Sequence, residues 1–251
     1  MKEDFLLLAG VNNEPEIFYT LEGEGKYVGK PSVFMRLFGC NLTCKGFASP
    51  GSPHGCDSYI SWSVKNRVSF DQLFEIFEKQ GFVQNFIDDH AIFKITGGEP
   101  FIREKPLIEF VKAFREKYGF LPHIDFETNG TIVPNEFWDR EAMATFTVSP
   151  KLASNGDPYI KRYNEKALEF HSLANSCFKF VVKSEADIQE IEDNYITPFN
   201  LMRSKVYLMP CCGSREELIQ NCTQTAEWCK KYGYSFSSRL HLMLWDKALR
   251  V

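Results

Sequence analysis

"AIFKITGGEP", residues 91 to 100, decides how the rest of the chain is read. A short apolar-rich run, "AIFKI" (91–95), passes without a spacer into a Gly-rich turn. Downstream, "LIEFVKAFREKYG" (107–119) repeats its apolar residues at a helical period and stops at a glycine suited to a helix end. Strand, tight loop and helix in that order form the repeating unit of a mostly parallel sheet or partial barrel. The same unit recurs on both sides. "SVFMRLF" (32–38), "HIDFE" (123–127), "ATFTV" (144–148), "FKFVV" (178–182), "KVYLM" (205–209) and "RLHLMLW" (239–245) all read as strands. Between them, Ser69 with Gln72 and Ser214 with Glu217 fit capping boxes, and Ser184 with Asp187 is a weaker version. After Ser69, Phe70, Leu73, Phe74 and Phe77 fall on one helical face.

This pattern predicts where chemistry sits. In βα folds, ligands bind beyond the carboxyl ends of the strands. The segments found there are "GCNLTC" (39–44), "TGGEP" (96–100), "TNGT" (128–131), "SPK" (149–151) and "MPCCGS" (209–214). All should open onto one rim.

Bulk properties narrow the class. A chain of 251 residues can bury a sizeable core, and we expect one domain spanning 1–251. A net charge of −4, from 29 basic and 33 acidic residues, gives no footprint for nucleic acid. The apolar run near the N-terminus is too short for a secretory signal, and none approaches the ~20 residues of a membrane helix. A cytoplasmic location without membrane contact is the expectation, and in a reducing compartment clustered cysteines point to metal or catalysis. The 23 phenylalanines read mainly as core.

Three of the eight cysteines, Cys40, Cys44 and Cys56, fall within one loop, 39–58. Thiolates suit an iron–sulfur cluster, and three of them on a four-iron cluster leave one iron open. A zinc site formed with His54 as the fourth ligand is equally reasonable from spacing, and three unrelated thiols make the plainest alternative. Spacing alone leaves these open. Cys222 and Cys229 fall at helical spacing within 214–232 and read as small buried hydrophobes.

Context adds a resemblance. "GCNLTC" at the first βα unit, followed by "GGEP" (97–100), resembles the radical S-adenosylmethionine superfamily. In that superfamily a three-cysteine loop holds a 4Fe-4S cluster, whose open iron binds the methionyl end of S-adenosylmethionine. Seven stretches in order, "FYTLEGEGKYVGKPSVFMRLFGCNLTC", "CDSYISW", "ITGGEPFI", "FETNGT", "VSPK", "MPCCGSREEL" and "RLHLMLW", are similar to one family within it, the 7-carboxy-7-deazaguanine synthases. The resemblance implies an α/β fold, a partial (β/α) barrel of the radical S-adenosylmethionine type. It also implies a lyase that converts 6-carboxy-5,6,7,8-tetrahydropterin to 7-carboxy-7-deazaguanine on the route to queuosine. The implied cofactors are the 4Fe-4S cluster, S-adenosyl-L-methionine and Mg2+. The implied partners are the pterin, a flavodoxin- or ferredoxin-like electron donor and a second copy in a homodimer.

Residue by residue, the resemblance makes Cys40, Cys44 and Cys56 the cluster ligands and Ser58 the Mg2+ ligand. Gly97, Gly98 and Glu99 would hold the methionyl amino group, the glycines by close backbone approach and Glu99 as acceptor. Thr128, Asn129, Ser149 and Lys151 would line the adenosine side. Glu22, Glu24, Arg36, Thr96 and His241 would face the substrate, with Arg36 able to fork onto its carboxylate. Arg36 also stands out in its own right, because a charge inside an apolar run usually has a partner.

Three departures qualify the match. Eleven residues, "KGFASPGSPHG", separate Cys44 from Cys56 where two are usual. Ser58 replaces a usual threonine but keeps the hydroxyl oxygen a hard cation needs. Glu22 stands where glutamine is common, adding a negative charge beside the expected pocket. A sister enzyme such as a glycyl-radical activase is the first alternative, and a non-enzymatic zinc-binding domain the second.

Overall fold

Strands with one aromatic face and one polar face dictate the architecture. The computed structural model describes residues 4–11, 14–46, 55–56 and 58–248. His54, most of the long insert and the C-terminal residues 249–251 lie outside the described residues. Twelve strands are present among those described: β1 (Phe5–Leu8), β2 (Gly10–Val11), β3 (Glu14–Pro15), β4 (Ile17–Leu21), β5 (Pro31–Leu37), β6 (Asn66–Ser69), β7 (Ile92–Gly97), β8 (Ile124–Thr128), β9 (Ala144–Val148), β10 (Ser176–Val182), β11 (Val206–Pro210) and β12 (Ser235–Phe236). The main sheet runs β12-β11-β10-β9-β8-β7-β5-β1-β6, and β4 also pairs with β5. Every step from β5 to β12 is parallel. The N-terminal hairpin partners, β1 and β4, lie antiparallel to β5. The sheet is open, with consecutive parallel strands joined by helices, as in a partial (β/α) barrel.

Period-two alternation separates the two faces. On β7, Phe93 packs against Phe77 at 5.5 Å and Phe86 at 5.6 Å on the helix side. On β8, Phe126 meets Trp138 at 4.7 Å, and on β9 Phe146 meets Phe170 at 5.8 Å. The alternate residues Lys94, Asp125, Glu127, Thr145, Thr147 and Lys179 point to the other face, where they pair with one another. Most of the phenylalanines are buried, as expected.

The expected helices form. Phe70–Lys79 opens with the full capping box: Gln72 N–H donates to Ser69 Oγ at 3.2 Å, and Ser69 N–H donates to Gln72 Oε1 at 2.9 Å. Glu104–Tyr118 ends at Gly119, and Arg215–Tyr232 starts at Ser214, whose Oγ accepts from Glu217 N–H at 3.3 Å. Cys229 is buried and Cys222 packs, partly buried, against the small cluster of Cys212, Leu218 and Leu242.

Two segments differ from expectation. "RLHLMLW" is not a strand; Leu240–Trp245 is a helix after Arg239. The run contains no β-branched residue, and leucine and methionine are good helix formers, so its apolar alternation did not fix an extended backbone. The strands before residue 22 also went unread, because runs as short as Phe5–Leu8 carry little periodic signal.

Phe77 is fully buried among the rings of Phe82, Phe86, Phe93, Phe110 and Phe114, all within 6.4 Å. Phe77→Ala therefore costs about 3–5 kcal/mol of stability, measured as a lower urea midpoint with an unchanged slope.

Candidate active site

The end of β7 is pressed onto the end of β5, and two glycines make this contact feasible. A Cβ at Gly97, whose φ is +149°, would lie 2.3 Å from the Leu37 carbonyl oxygen. A Cβ at Gly98 would lie 2.1 Å from the Gly39 carbonyl oxygen and 2.6 Å from Cys40 Cβ. Glu99 N–H then donates to the Gly39 carbonyl at 2.9 Å. The "GGEP" turn thus lies directly on the start of the cysteine loop.

Other rim loops fix the rest of that loop. Asn41 donates to Thr131 Oγ1 at 2.8 Å and accepts from Asn129 Nδ2 at 2.9 Å. Thr43 donates through its hydroxyl to Asp157 Oδ1 at 2.7 Å, and Lys45 N–H donates to the Asn155 carbonyl at 3.0 Å. At Gly46 a Cβ would meet Gly55 O at 2.5 Å and Cys56 Cα at 2.8 Å. The chain leaving Cys44 and the chain returning to Cys56 touch there, so the insert is closed at its base.

Cys40, Cys44 and Cys56 are half-buried and outside any disulfide. Burial pushes the Cys40 thiol up to about 12, so ligation as a thiolate there releases a proton to solvent. Among the described residues no three His, Cys, Asp or Glu side chains converge as they would around a single ion. A four-iron cluster distributes its ligands over separate irons and does not need that convergence. Three soft donors on one pinned loop fit such a cluster.

Glu99 ties this loop to the next strand. Buried, it accepts from Asn129 N–H at 2.7 Å, Thr128 Oγ1 at 2.9 Å and Phe101 N–H at 3.1 Å. Burial outweighs these donors and raises its carboxyl to about 7. Ser149 N–H donates to the Thr128 carbonyl at 2.7 Å, and Lys151 Nζ donates to the Ser149 hydroxyl at 3.0 Å. Thr128, Asn129, Ser149 and Lys151 therefore form one bonded rim with Glu99.

Below the rim the barrel face is charged. Lys179 Nζ lies 2.5 Å from both Glu24 Oε2 and Glu127 Oε1. Arg239 Nε donates to Glu24 Oε1 at 2.8 Å, and its Nη1 donates to the Cys212 carbonyl, which brings the "MPCCGS" loop to the same place. Burial disfavours the Glu24 charge, but Lys179, Arg239 and His241 outweigh it and hold the carboxyl well below its ordinary range. Lys94 lies 2.6 Å from both Glu22 Oε2 and Asp125 Oδ2. Its burial opposes the ammonium charge, yet the carboxylates of Asp125 and Glu22 raise its pKa well above the ordinary value.

No family model matches the chain. It is 32% identical to the 7-carboxy-7-deazaguanine synthase of Halobacterium salinarum, covering 93% of this chain and 90% of that protein. The enzyme of the same name from Pyrobaculum aerophilum is 31% identical, over 93% of this chain and 94% of its own length. This chain belongs to the 7-carboxy-7-deazaguanine synthase family. The crystal structure of QueE from Escherichia coli shares the fold, with a TM-score of 0.65 at 23% identity over 94% of this chain and 95% of that one. As a member of the family, the chain is a radical S-adenosylmethionine lyase whose cofactors are a 4Fe-4S cluster and S-adenosylmethionine.

Within this synthase fold, the residues singled out in the sequence fall into distinct places. Arg36 has the expected partner, donating from Nε to Glu16 Oε1 at 3.2 Å, and it sits beside Thr96 in the sheet register. Thr96 donates to Glu127 Oε2 at 3.2 Å, linking Arg36's neighbourhood to Lys179 and Glu24. His241 stands on the helix after Arg239, with Nε2 4.0 Å from Glu24 Oε1 and its ring against Gly23. Ser58 precedes the short helix Tyr59–Trp62, two positions beyond Cys56. Sequence reading missed Lys94, Asp125, Glu127, Lys179 and Arg239. The signal was present: "AIFKI", "HIDFE" and "FKFVV" each carry a charge within an apolar strand, the argument applied only to Arg36.

Two outcomes are expected. Gly98→Ala forces its Cβ into the Gly39 backbone and lowers bound iron after anaerobic reconstitution by about fivefold or more. Glu99 titrates higher folded than unfolded, so its contribution is complete below pH 4.5 and fades as pH rises to about 7. In the cluster-free protein, Glu99→Gln should therefore gain stability relative to wild type over that window, by up to about 3 kcal/mol in urea unfolding.

Proposed function

We propose that this synthase converts 6-carboxy-5,6,7,8-tetrahydropterin to 7-carboxy-7-deazaguanine, a ring contraction that releases ammonia and feeds deazapurine nucleosides such as queuosine. The observation that carries this reading is continuity. The three-cysteine loop, the "GGEP" turn and the charged barrel face form one bonded surface, from Cys40 through Glu99 and Thr128 to Glu127, Lys179 and Glu24.

Cys40, Cys44 and Cys56 hold the cluster, and the contact of Gly46 with Gly55 and Cys56 supports Cys56 as the third ligand. When bound there, the cluster and S-adenosylmethionine would supply the radical chemistry that begins the ring contraction. Gly97 and Gly98 bring backbone close to the methionyl end, and Thr128, Asn129, Ser149 and Lys151 line the adenosine side. Glu24 presents an ionised carboxylate fixed by Lys179 and Arg239, and its remaining lone pairs accept from the N–H groups of the pterin. Arg36 spends Nε on Glu16, while its Nη groups, without a bond among the described residues, suit the substrate carboxylate. Thr96 and His241 complete that wall. Ser58 would supply a hydroxyl oxygen to Mg2+.

A low-potential flavodoxin- or ferredoxin-like protein donates the electron, and the chain acts as a cytoplasmic homodimer. No helix of the described residues is long and apolar enough to cross a membrane.

Anaerobically reconstituted protein incubated with S-adenosylmethionine, a reductant, Mg2+ and the carboxytetrahydropterin should release 7-carboxy-7-deazaguanine and ammonia. Formation of 5′-deoxyadenosine without the deazaguanine would retain the radical class and defeat the substrate. Cys40→Ala, Cys44→Ala and Cys56→Ala should each abolish iron loading and product, whereas Cys229→Ala should load iron as the wild type does.

A further inference from the structure

Glu24 is held from three sides, and one of the three is a residue two positions before it. The Glu24 N–H donates to Glu22 Oε1 at 3.0 Å, while Glu22 Oε2 lies against Lys94 Nζ at 2.6 Å. Lys94 is braced in turn by Asp125, which accepts from Thr145 at 2.8 Å and Thr147 at 2.9 Å. The Glu22 backbone closes the same turn, donating to the Lys30 carbonyl and accepting from Gly29 N–H, both at 2.8 Å. Glu22 is buried; its Oε1 carries the bond to the Glu24 N–H, and its Oε2 is in ion-pair contact with Lys94 without a well-aligned hydrogen bond.

We propose that Glu22 is a positioning residue: clamped by Lys94, its carboxylate fixes the Glu24 amide and with it the direction in which Glu24 meets the pterin. This rests on the reading that Glu24 holds the substrate. The charge that distinguishes Glu22 from a glutamine faces Lys94 inside the protein, which offsets only part of the effect of burial, so the carboxyl stays above its ordinary range. Glutamine at this position keeps an acceptor oxygen for the Glu24 N–H. Methionine fills similar volume with no such acceptor, and in either variant Lys94 retains Asp125.

The test uses cluster-loaded wild type, Glu22→Met, Glu22→Gln and Glu24→Gln. Pterin Kd is measured by isothermal titration, alongside KM for pterin and for S-adenosylmethionine. Glu22→Met should weaken pterin binding and raise its KM about tenfold, with the KM for S-adenosylmethionine within about twofold of wild type. Glu22→Gln should recover most of that loss. A merely structural role would not separate the two KM values. If Glu22→Met binds pterin like wild type while Glu24→Gln does not, the positioning role is overturned and the Glu24 reading stands. If Glu24→Gln binds pterin normally, the substrate reading fails and the proposal with it. Failure of Glu22→Gln to recover binding would assign the effect to charge and also overturn the proposal. Glu22→Ala replaces the methionine variant if the latter loads less iron than wild type; failure of both to load would make Glu22 structural and overturn the proposal.

Discussion

A buried charge must be paired, and that constraint organises the whole polar face of this sheet. Lys94 and Lys179 are almost completely enclosed, each between two carboxylates. Such pairs are a poor source of stability, because desolvation offsets much of the Coulombic gain. Removing both carboxylates from either lysine is another matter, since a charge left buried and unpaired is strongly destabilising. The chain therefore depends on its opposite face for stability, where Phe77, Phe93, Phe110, Phe114 and Phe126 supply apolar area and edge contacts. Each strand divides the labour by parity: aromatic residues hold the helices, and charged residues face the site.

Pairing also explains why the site can meet a polar ligand without collapsing. Glu24 keeps its charge because Lys179 and Arg239 outweigh its burial. A carboxylate held by two cations is fixed in direction, so a ligand bound to it pays little to orient it. Rigid elements supply both sides. Glu127 and Lys179 project from neighbouring regions of the sheet, and Arg239 enters from the segment before the last helix.

Much of this was legible in the sequence, and what was not has specific causes. The βα units and their rim loops were readable because apolar runs end abruptly in Gly- and Pro-rich turns. The capping box at Ser69 and the helical face of Phe70, Leu73, Phe74 and Phe77 formed as written. The segment 239–245 misled, because alternating leucines mimic a strand when no neighbouring strand is there to pair with. Lys94, Asp125, Glu127 and Lys179 went unread for a different reason. A charge in a strand announces that it has a partner, but only the fold shows that such charges from three strands share one face. Glu22 illustrates the limit most sharply: its charge was visible, and Lys94, against which it lies, was distant by 72 positions.

The cysteine loop makes the same point about distance along the chain. Eleven residues between Cys44 and Cys56 look incompatible with a compact ligand set if spacing is taken as geometry. A loop of that length costs little more entropy to close than a short one, because closure entropy grows only logarithmically with length. What matters is whether its ends meet. They do, since Gly46 has no side chain and its backbone reaches Gly55 and Cys56 closely enough that any Cβ would collide. Cys56 is therefore brought back beside the chain that leaves Cys44. The proposed ligand motif, broken in sequence, is rejoined in space by a glycine contact.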